Sequence, residues 1–92
     1  MTDITNIKAV SINVTYEEDR RKGRDWFGNE GYCYYNGRYR LVIEHTNTVL
    51  DINELYIYKD RCYMVKSVQR DYNVLTCSYE LISFTPVIVI YD

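Results

Sequence analysis

Apolar and polar positions begin to alternate at Val10: Val10, Ile12, Val14 and Tyr16 are separated by Ser11, Asn13 and Thr15. Such a period of two predicts a half-buried strand, because successive side chains of a strand point to opposite faces. The alternation stops at Glu17, where EEDRRKGRDWFGNEG (residues 17–31) brings three glycines, an acidic run and a basic run. This segment reads as one long loop, of the length at which connections usually carry function or lack order.

Residues 32–44, YCYYNGRYRLVIE, contain Asn36-Gly37, the strongest short hairpin signal, since both central residues of a type I′ turn need positive φ. A two-residue turn there pairs Tyr35 with Arg38 and Tyr34 with Tyr39. One face then gathers Tyr32, Tyr34, Tyr39, Leu41 and Ile43 as core, and the other exposes Cys33, Tyr35, Arg38 and Arg40. A second hairpin follows, with Glu54–Tyr58 and Arg61–Val68 flanking Lys59-Asp60. It pairs Ile57 with Cys62 and Leu55 with Met64 on one face, leaving Tyr56, Tyr58, Tyr63 and Val65 on the other. A turn at residues 70–73 leads to Leu75, Cys77, Tyr79 and Leu81 alternating with Thr76, Ser78 and Glu80, and Pro86 precedes the last run, Val87–Tyr91. Apart from one helical turn near residues 51–55, no helix period is present. The chain is expected to be all-β: a single domain over residues 1–92, a small antiparallel barrel or sandwich of six to seven strands with a long loop at 17–31 and a terminal strand at 87–91.

Composition agrees. Eleven of the aromatics are Tyr, against two Phe and one Trp, and a single Ala and a single Gln leave few inexpensive helix formers. A formal charge of −2 argues against a protein whose main task is to grip duplex nucleic acid. Three cysteines, 33, 62 and 77, are odd in number and lack Cys-x-x-Cys spacing, so neither a disulfide framework nor a zinc site is expected, and synthesis in a reducing cytosol is. The chain opens without a signal-peptide pattern, and its longest apolar run, at Val87–Tyr91, falls far short of the ~20 residues that cross a bilayer. No membrane partner is expected.

Candidate chemistry is sparse. His45 is the one histidine, so nucleophilic catalysis and imidazole ligation both rest on a residue in a polar stretch, read as a solvated loop histidine. Glu17, Glu18 and Asp19 are followed at once by Arg20, Arg21 and Lys22, which reads as a self-neutralising surface rather than a catalytic carboxylate pair. The glycines do not form a phosphate loop. No enzyme, cofactor or metal is therefore expected. Two binding readings remain. Tyr35, Arg38 and Arg40 have the character of a single-strand nucleic-acid surface, with stacking beside cations, although such pairs also stabilise ordinary wet faces. Trp26-Phe27 in the charged loop either plugs the end of the barrel or anchors a protein partner. The uncharged, β-branched strand Val87–Tyr91 must be covered by its own sheet or by a neighbouring chain.

The string DINELYIYKDRCYMVKSV (residues 51–68), continuing as QRDYNVLTCSYEL (residues 69–81), resembles the C-terminal half of the head-closure, or stopper, family of tailed-phage head–tail joining proteins. The similar features are Asp51, Tyr56 and Tyr58, the turn at 59–61, Tyr63, Val65 and Val68, the turn at 70–73, and the strand from Leu75 to Leu81. Upstream, VSINVTYEEDRRKGRDW (residues 10–26) is similar to the family's opening strand and its Gly- and Trp-containing loop. The hairpin at 32–44 and the terminal VIVIY depart from the pattern. The resemblance implies a non-enzymatic β-barrel subunit of the virion, assembled in the host cytoplasm as a homo-oligomeric ring that docks beneath the portal or adaptor and joins head to tail, with long loops reaching neighbours or the DNA channel. Its partners would be itself and the portal, adaptor and tail proteins. Rings are built from two different patches that meet. Arg20, Arg21, Arg24, Trp26 and Phe27 are the candidates for one patch, and Val87, Ile88, Val89, Ile90 and Tyr91 for the other. The alternatives are a small single-strand nucleic-acid-binding barrel and a phage-encoded inhibitor of a host protein.

Overall fold

In the computed structural model, residues 1–24, 30–83 and 88–91 are described, with side chains at 1–18 and 37–83. The described chain is all-β: β1 (Thr2–Asp3), β2 (Ser11–Arg24), β3 (Glu30–Thr46), β4 (Leu55–Tyr58), β5 (Arg61–Arg70), β6 (Cys77–Ile82) and β7 (Ile88–Tyr91). They form one mixed sheet in the order β1-β4-β5-β6-β3-β2, with β7 pairing β3 off this path. Among the described residues, only the β1–β4 pair is parallel. Among the described residues, the end strands β1 and β2 do not pair with each other, so the sheet is not closed.

The β4–β5–β6 meander follows the expected register. Leu55 pairs Met64, Tyr56 pairs Tyr63, Ile57 pairs Cys62 and Tyr58 pairs Arg61. The two-residue turn forms without glycine because Lys59 and Asp60 both take positive φ, 48° and 65°. Tyr56, Tyr58, Tyr63 and Val65 are buried together, as their shared face requires. In β6, Tyr79 and Leu81 continue that core, but Leu75, expected in the same row, lies before the strand and is fully exposed. The expected helical turn at 51–55 is a hydrogen-bonded turn, with the Glu54 amide donating to the Asp51 carbonyl at 3.3 Å.

Two expectations are overturned, and for one reason. The long loop at 17–31 is largely strand: β2 runs to Arg24 and β3 starts at Glu30, with Glu17 opposite Arg38, Asp19 opposite Asn36 and Lys22 opposite Cys33. Residues 25–29, including Trp26 and Phe27, lie outside the described residues. Nor does the chain turn at Asn36-Gly37; both residues sit within β3. A hairpin there would have to use one edge of residues 38–43, and both edges of residues 40–43 are already taken. Leu41 pairs Val14 on one side and Leu81 on the other, and Arg40 pairs Thr15 and Ile82. Tertiary pairing outweighs the local turn preference. Tyr32–Tyr35 therefore pair with β2 and β7 rather than with Arg38–Leu41.

Leu41, Leu81 and Val65 lie side by side across β3, β6 and β5 and are completely buried. Ile43, Tyr79 and the β4 tyrosines extend this layer, and Ile4 and Leu50 cover it. The covering strap is held by hydrogen bonds from its backbone: Leu50 N–H to the Tyr79 hydroxyl (3.1 Å), Asp51 N–H to the Tyr56 hydroxyl (2.8 Å) and Asn53 N–H to the Val65 carbonyl (3.0 Å). A phenol both fills the core and satisfies a strap amide, which phenylalanine could not do. Buried Thr46 ties the N-terminal segment down by donating to the Lys8 carbonyl at 2.7 Å. The expected burial of the first strand is only partly met. Ile12 packs on the core, whereas Val10, Val14 and Tyr16 are exposed because β2 is the end strand and the strap does not extend over it.

Candidate functional site

Past the body, β2 and β3 continue as an arm. The 14-residue β2 and the 17-residue β3 are far longer than the ordinary strand of about 5–6 residues. β6 accompanies β3 only over Arg40–Thr46; at Tyr32–Tyr35 its place on that edge is taken by β7, also antiparallel. Six residue steps separate Ile82 from Ile88, while their partners Arg40 and Tyr35 are five steps apart, so the register slips by one residue between β6 and β7. The molecule measures 58 × 26 × 20 Å, with a radius of gyration of 17.4 Å against the ~12 Å of a compact chain of this length.

Side chains described at the root of the arm form a small stack. The Arg61 guanidinium lies 3.4 Å from the ring centroid of Tyr39, whose ring meets that of Tyr16 at 4.9 Å. The Tyr39 N–H donates to the Ser83 hydroxyl (3.1 Å) and its carbonyl accepts from the Ser83 N–H (2.9 Å), which extends the β6 pairing by one residue.

Of the expected interface residues, the backbones of Arg20, Arg21 and Arg24 lie on β2, the end strand of the sheet, and Ile88, Val89, Ile90 and Tyr91 form β7. The two sets are brought to the same arm, on opposite sides of β3. Val87, like Trp26 and Phe27, lies outside the described residues. The terminal strand is thus covered on one edge by its own chain.

The expected nucleic-acid surface fares differently. Arg38 is paired to Glu17 at 3.3 Å and Arg40 to Glu80 at 3.0 Å, with the Lys66 ammonium 3.8 Å from the same Glu80 oxygen. Both cations are committed to carboxylates, and only the backbone of Tyr35 is described. Arg40 also lines an open groove of about 620 Å³ on the sheet face opposite the core, where Glu44, Asp71 and Glu80 set an acidic balance.

One end of that groove holds an arrangement that the sequence reading missed. His45 is in β3, not a loop, at a bulge that shifts the β3–β6 register between Ile43 and Thr46, and it adopts a positive φ of 59°. The bulge brings its Nδ1 to 2.8 Å from Asp71 Oδ2, which also accepts from the Thr76 hydroxyl at 2.6 Å. The carboxylate pushes the His45 pKa up. Asp71 is held below the usual carboxylate range, chiefly by the Thr76 hydroxyl and then by His45. The Ser78 hydroxyl accepts from the His45 backbone N–H at 3.2 Å, so the four residues His45, Asp71, Thr76 and Ser78 are joined as a brace rather than as a nucleophile and base. What they brace is the β5–β6 turn, closed by the Asp71 amide donating to the Thr76 carbonyl at 3.2 Å. This turn displays Tyr72 (90% exposed), Val74 (57%) and Leu75 (96%).

Cys62 is exposed and Cys77 half-buried. No group of three or more His, Cys, Asp or Glu that could hold a metal ion occurs among the described residues. No helix there is long and apolar enough to cross a membrane. Comparison with protein-family models, with curated proteins and with solved structures finds no match for this chain.

Proposed function

We infer that this chain is a non-enzymatic structural subunit of a tailed-phage virion, which assembles as a homo-oligomeric ring and joins head to tail. The observation that carries the reading is the arm. A body with its own covered core supports a ribbon of β2, β3 and β7 that reaches away from it and offers strand edges, a geometry suited to contacting neighbours in an assembly. The braced turn at Tyr72–Leu75 adds an apolar element that costs little entropy to dock, because its base is already fixed. The stretch that resembles the head-closure family, residues 51–81, coincides with the β4–β5–β6 meander. The single-strand nucleic-acid reading loses support, since Arg38 and Arg40 are both ion-paired within the chain.

The experiment is genetic. In a phage that carries this gene, its removal should leave DNA-filled heads and finished tails unjoined in electron micrographs of the lysate, and the purified chain should restore joining. Complete particles formed without it would overturn the reading.

A further inference from the structure

We propose that β7 is a donated strand: each copy of this chain lays its β7 on the β3 edge at Tyr32–Tyr35 of the next copy and receives the previous copy's β7 on its own. The proposal rests on the ring reading and names the two patches through which neighbouring copies meet.

The chain itself defines what this edge accepts. β3 takes an uncharged, largely β-branched strand there, antiparallel, with Tyr32 opposite Tyr91, Cys33 opposite Ile90, Tyr34 opposite Val89 and Tyr35 opposite Ile88. The β7 of a second copy is the same strand. All four pairs therefore re-form when it replaces the first, and exchange between copies sacrifices no strand pairing. The affinity comes from main-chain hydrogen bonds along the edge, as in other cases where one chain completes the sheet of another.

β7 is also set apart from the rest of its own chain. Among the described residues it pairs with β3 alone. Its partner nearest the body, Tyr35, stands six positions before Leu41, the first residue of β3 in the core cluster, which is about 20 Å along a strand. Between them the ladder on this edge is interrupted. Arg40 pairs Ile82 and the Tyr39 carbonyl accepts from Ser83, but no described residue is paired with Asn36, Gly37 or Arg38 on that side. Pro86 falls in the intervening sequence and has no N–H to give to a ladder. Lifting β7 away thus leaves the pairing of β3 with β6 as it stands.

Reach limits where the acceptor lies. Five residue steps from Ser83 to Ile88 span at most about 17 Å. Within the chain these two residues stand beside Tyr39 and Tyr35, about 14 Å apart along β3. The next copy's Tyr35 must therefore come within about 17 Å of the donor's Ser83, which sets two arms side by side at their roots. Donor strand and acceptor edge are different patches, so the contact is head-to-tail and closes as a ring.

Disulfide trapping in the full-length chain tests the donation. Opposed residues of an antiparallel pair have Cα atoms about 4.5–5.5 Å apart, inside the range of about 4.4–6.8 Å that a disulfide spans. Ile90→Cys therefore sets a thiol opposite Cys33, and Cys62→Ser with Cys77→Ala removes the other two. The variant is refolded as an equal mixture of isotope-labelled and unlabelled chains, oxidised and digested. Donation predicts a ladder of covalent oligomers extending past the dimer on a non-reducing gel and collapsing to one band on reduction. It also predicts junction peptides that join Cys33 of a labelled chain to the introduced thiol of an unlabelled one. Junctions within single chains only would overturn the proposal. If sedimentation velocity then still finds oligomers, the ring reading stands and its interface lies elsewhere; if it finds monomers, donation is excluded and head–tail joining in the phage judges the ring. Covalent dimers alone would mean reciprocal exchange and would overturn the head-to-tail order. Should the Ile90→Cys chain fail to fold, Tyr34→Cys with Val89→Cys, in a chain that also carries Cys33→Ser, reads the same register.

Discussion

Tyr79→Phe removes one oxygen and tests how the strap is held. The Tyr79 hydroxyl accepts from the Leu50 amide at 3.1 Å, and both residues are buried, 3% and 5% exposed. Without the hydroxyl, the amide is left unpaired away from water, at a cost of about 1–3 kcal/mol. Tyr56→Phe makes the same change where the donor, the Asp51 amide at 2.8 Å, belongs to an exposed residue, so water can replace the phenol and the cost should fall to about 0.5–1 kcal/mol. Urea unfolding reads both. With a slope of about 1 kcal/mol per molar for a domain this small, a loss of 2 kcal/mol moves the midpoint by about 2 M at constant slope. Burial also raises the Tyr79 pKa, against the opposing bond from Leu50, so this phenol should ionise above the usual value in an absorbance titration. A Tyr79→Phe protein within about 0.5 kcal/mol of wild type, or one less affected than Tyr56→Phe, would refute the strap argument.

The core should respond more strongly still: Leu81→Ala, at a completely buried position between Leu41 and Val65, should cost about 2–5 kcal/mol in the same assay. The His45–Asp71 brace has a defined pH window. His45 is raised by Asp71, so its contribution is complete below the ordinary value near 6.5 and is lost as pH rises through the raised one; Asp71 is lowered, first by Thr76 and then by His45, so its contribution is complete above about 3.9 and is lost as pH falls through the lowered value. The brace is therefore at full strength between about 3.9 and 6.5. An NMR titration should find that Asp71→Asn returns His45 toward about 6.5, and an unchanged titration would exclude the ion pair. In the turn, Tyr72→Ser with Leu75→Ser should alter stability by no more than about 0.5 kcal/mol, as those side chains bury almost nothing, yet reduce head–tail joining. Retained joining by the folded variant would remove the turn from the docking surface.

The β4–β5–β6 meander was legible in the sequence because its determinants are local. A two-residue turn fixes the register of Leu55 against Met64, and alternation then sends Tyr56, Tyr58, Tyr63 and Val65 to one face. The arm was not legible, because Glu17–Lys22 has no apolar period; what makes these residues a strand is a partner strand whose paired residues, Cys33 to Arg38, lie 11 to 21 positions further along. Asn36-Gly37 misled for the complementary reason, since turn preference is local and the two occupied edges of residues 40–43 are not. The outward placement of Arg38 and Arg40 could be read from alternation, but their partners Glu17 and Glu80 lie 21 and 40 residues away. The brace likewise joins residues 26 apart through a bulge that no sequence pattern announces.

The assembly reading stands on a β3 that runs unbroken through Asn36-Gly37. Cross-strand nuclear Overhauser contacts test this most directly. A continuous strand predicts backbone contacts of Arg20 with Tyr35 and of Glu18 with Gly37. Contacts between Tyr34 and Tyr39, with none from Arg20 to Tyr35, would mean that the chain turns at Asn36-Gly37 and that the arm does not exist.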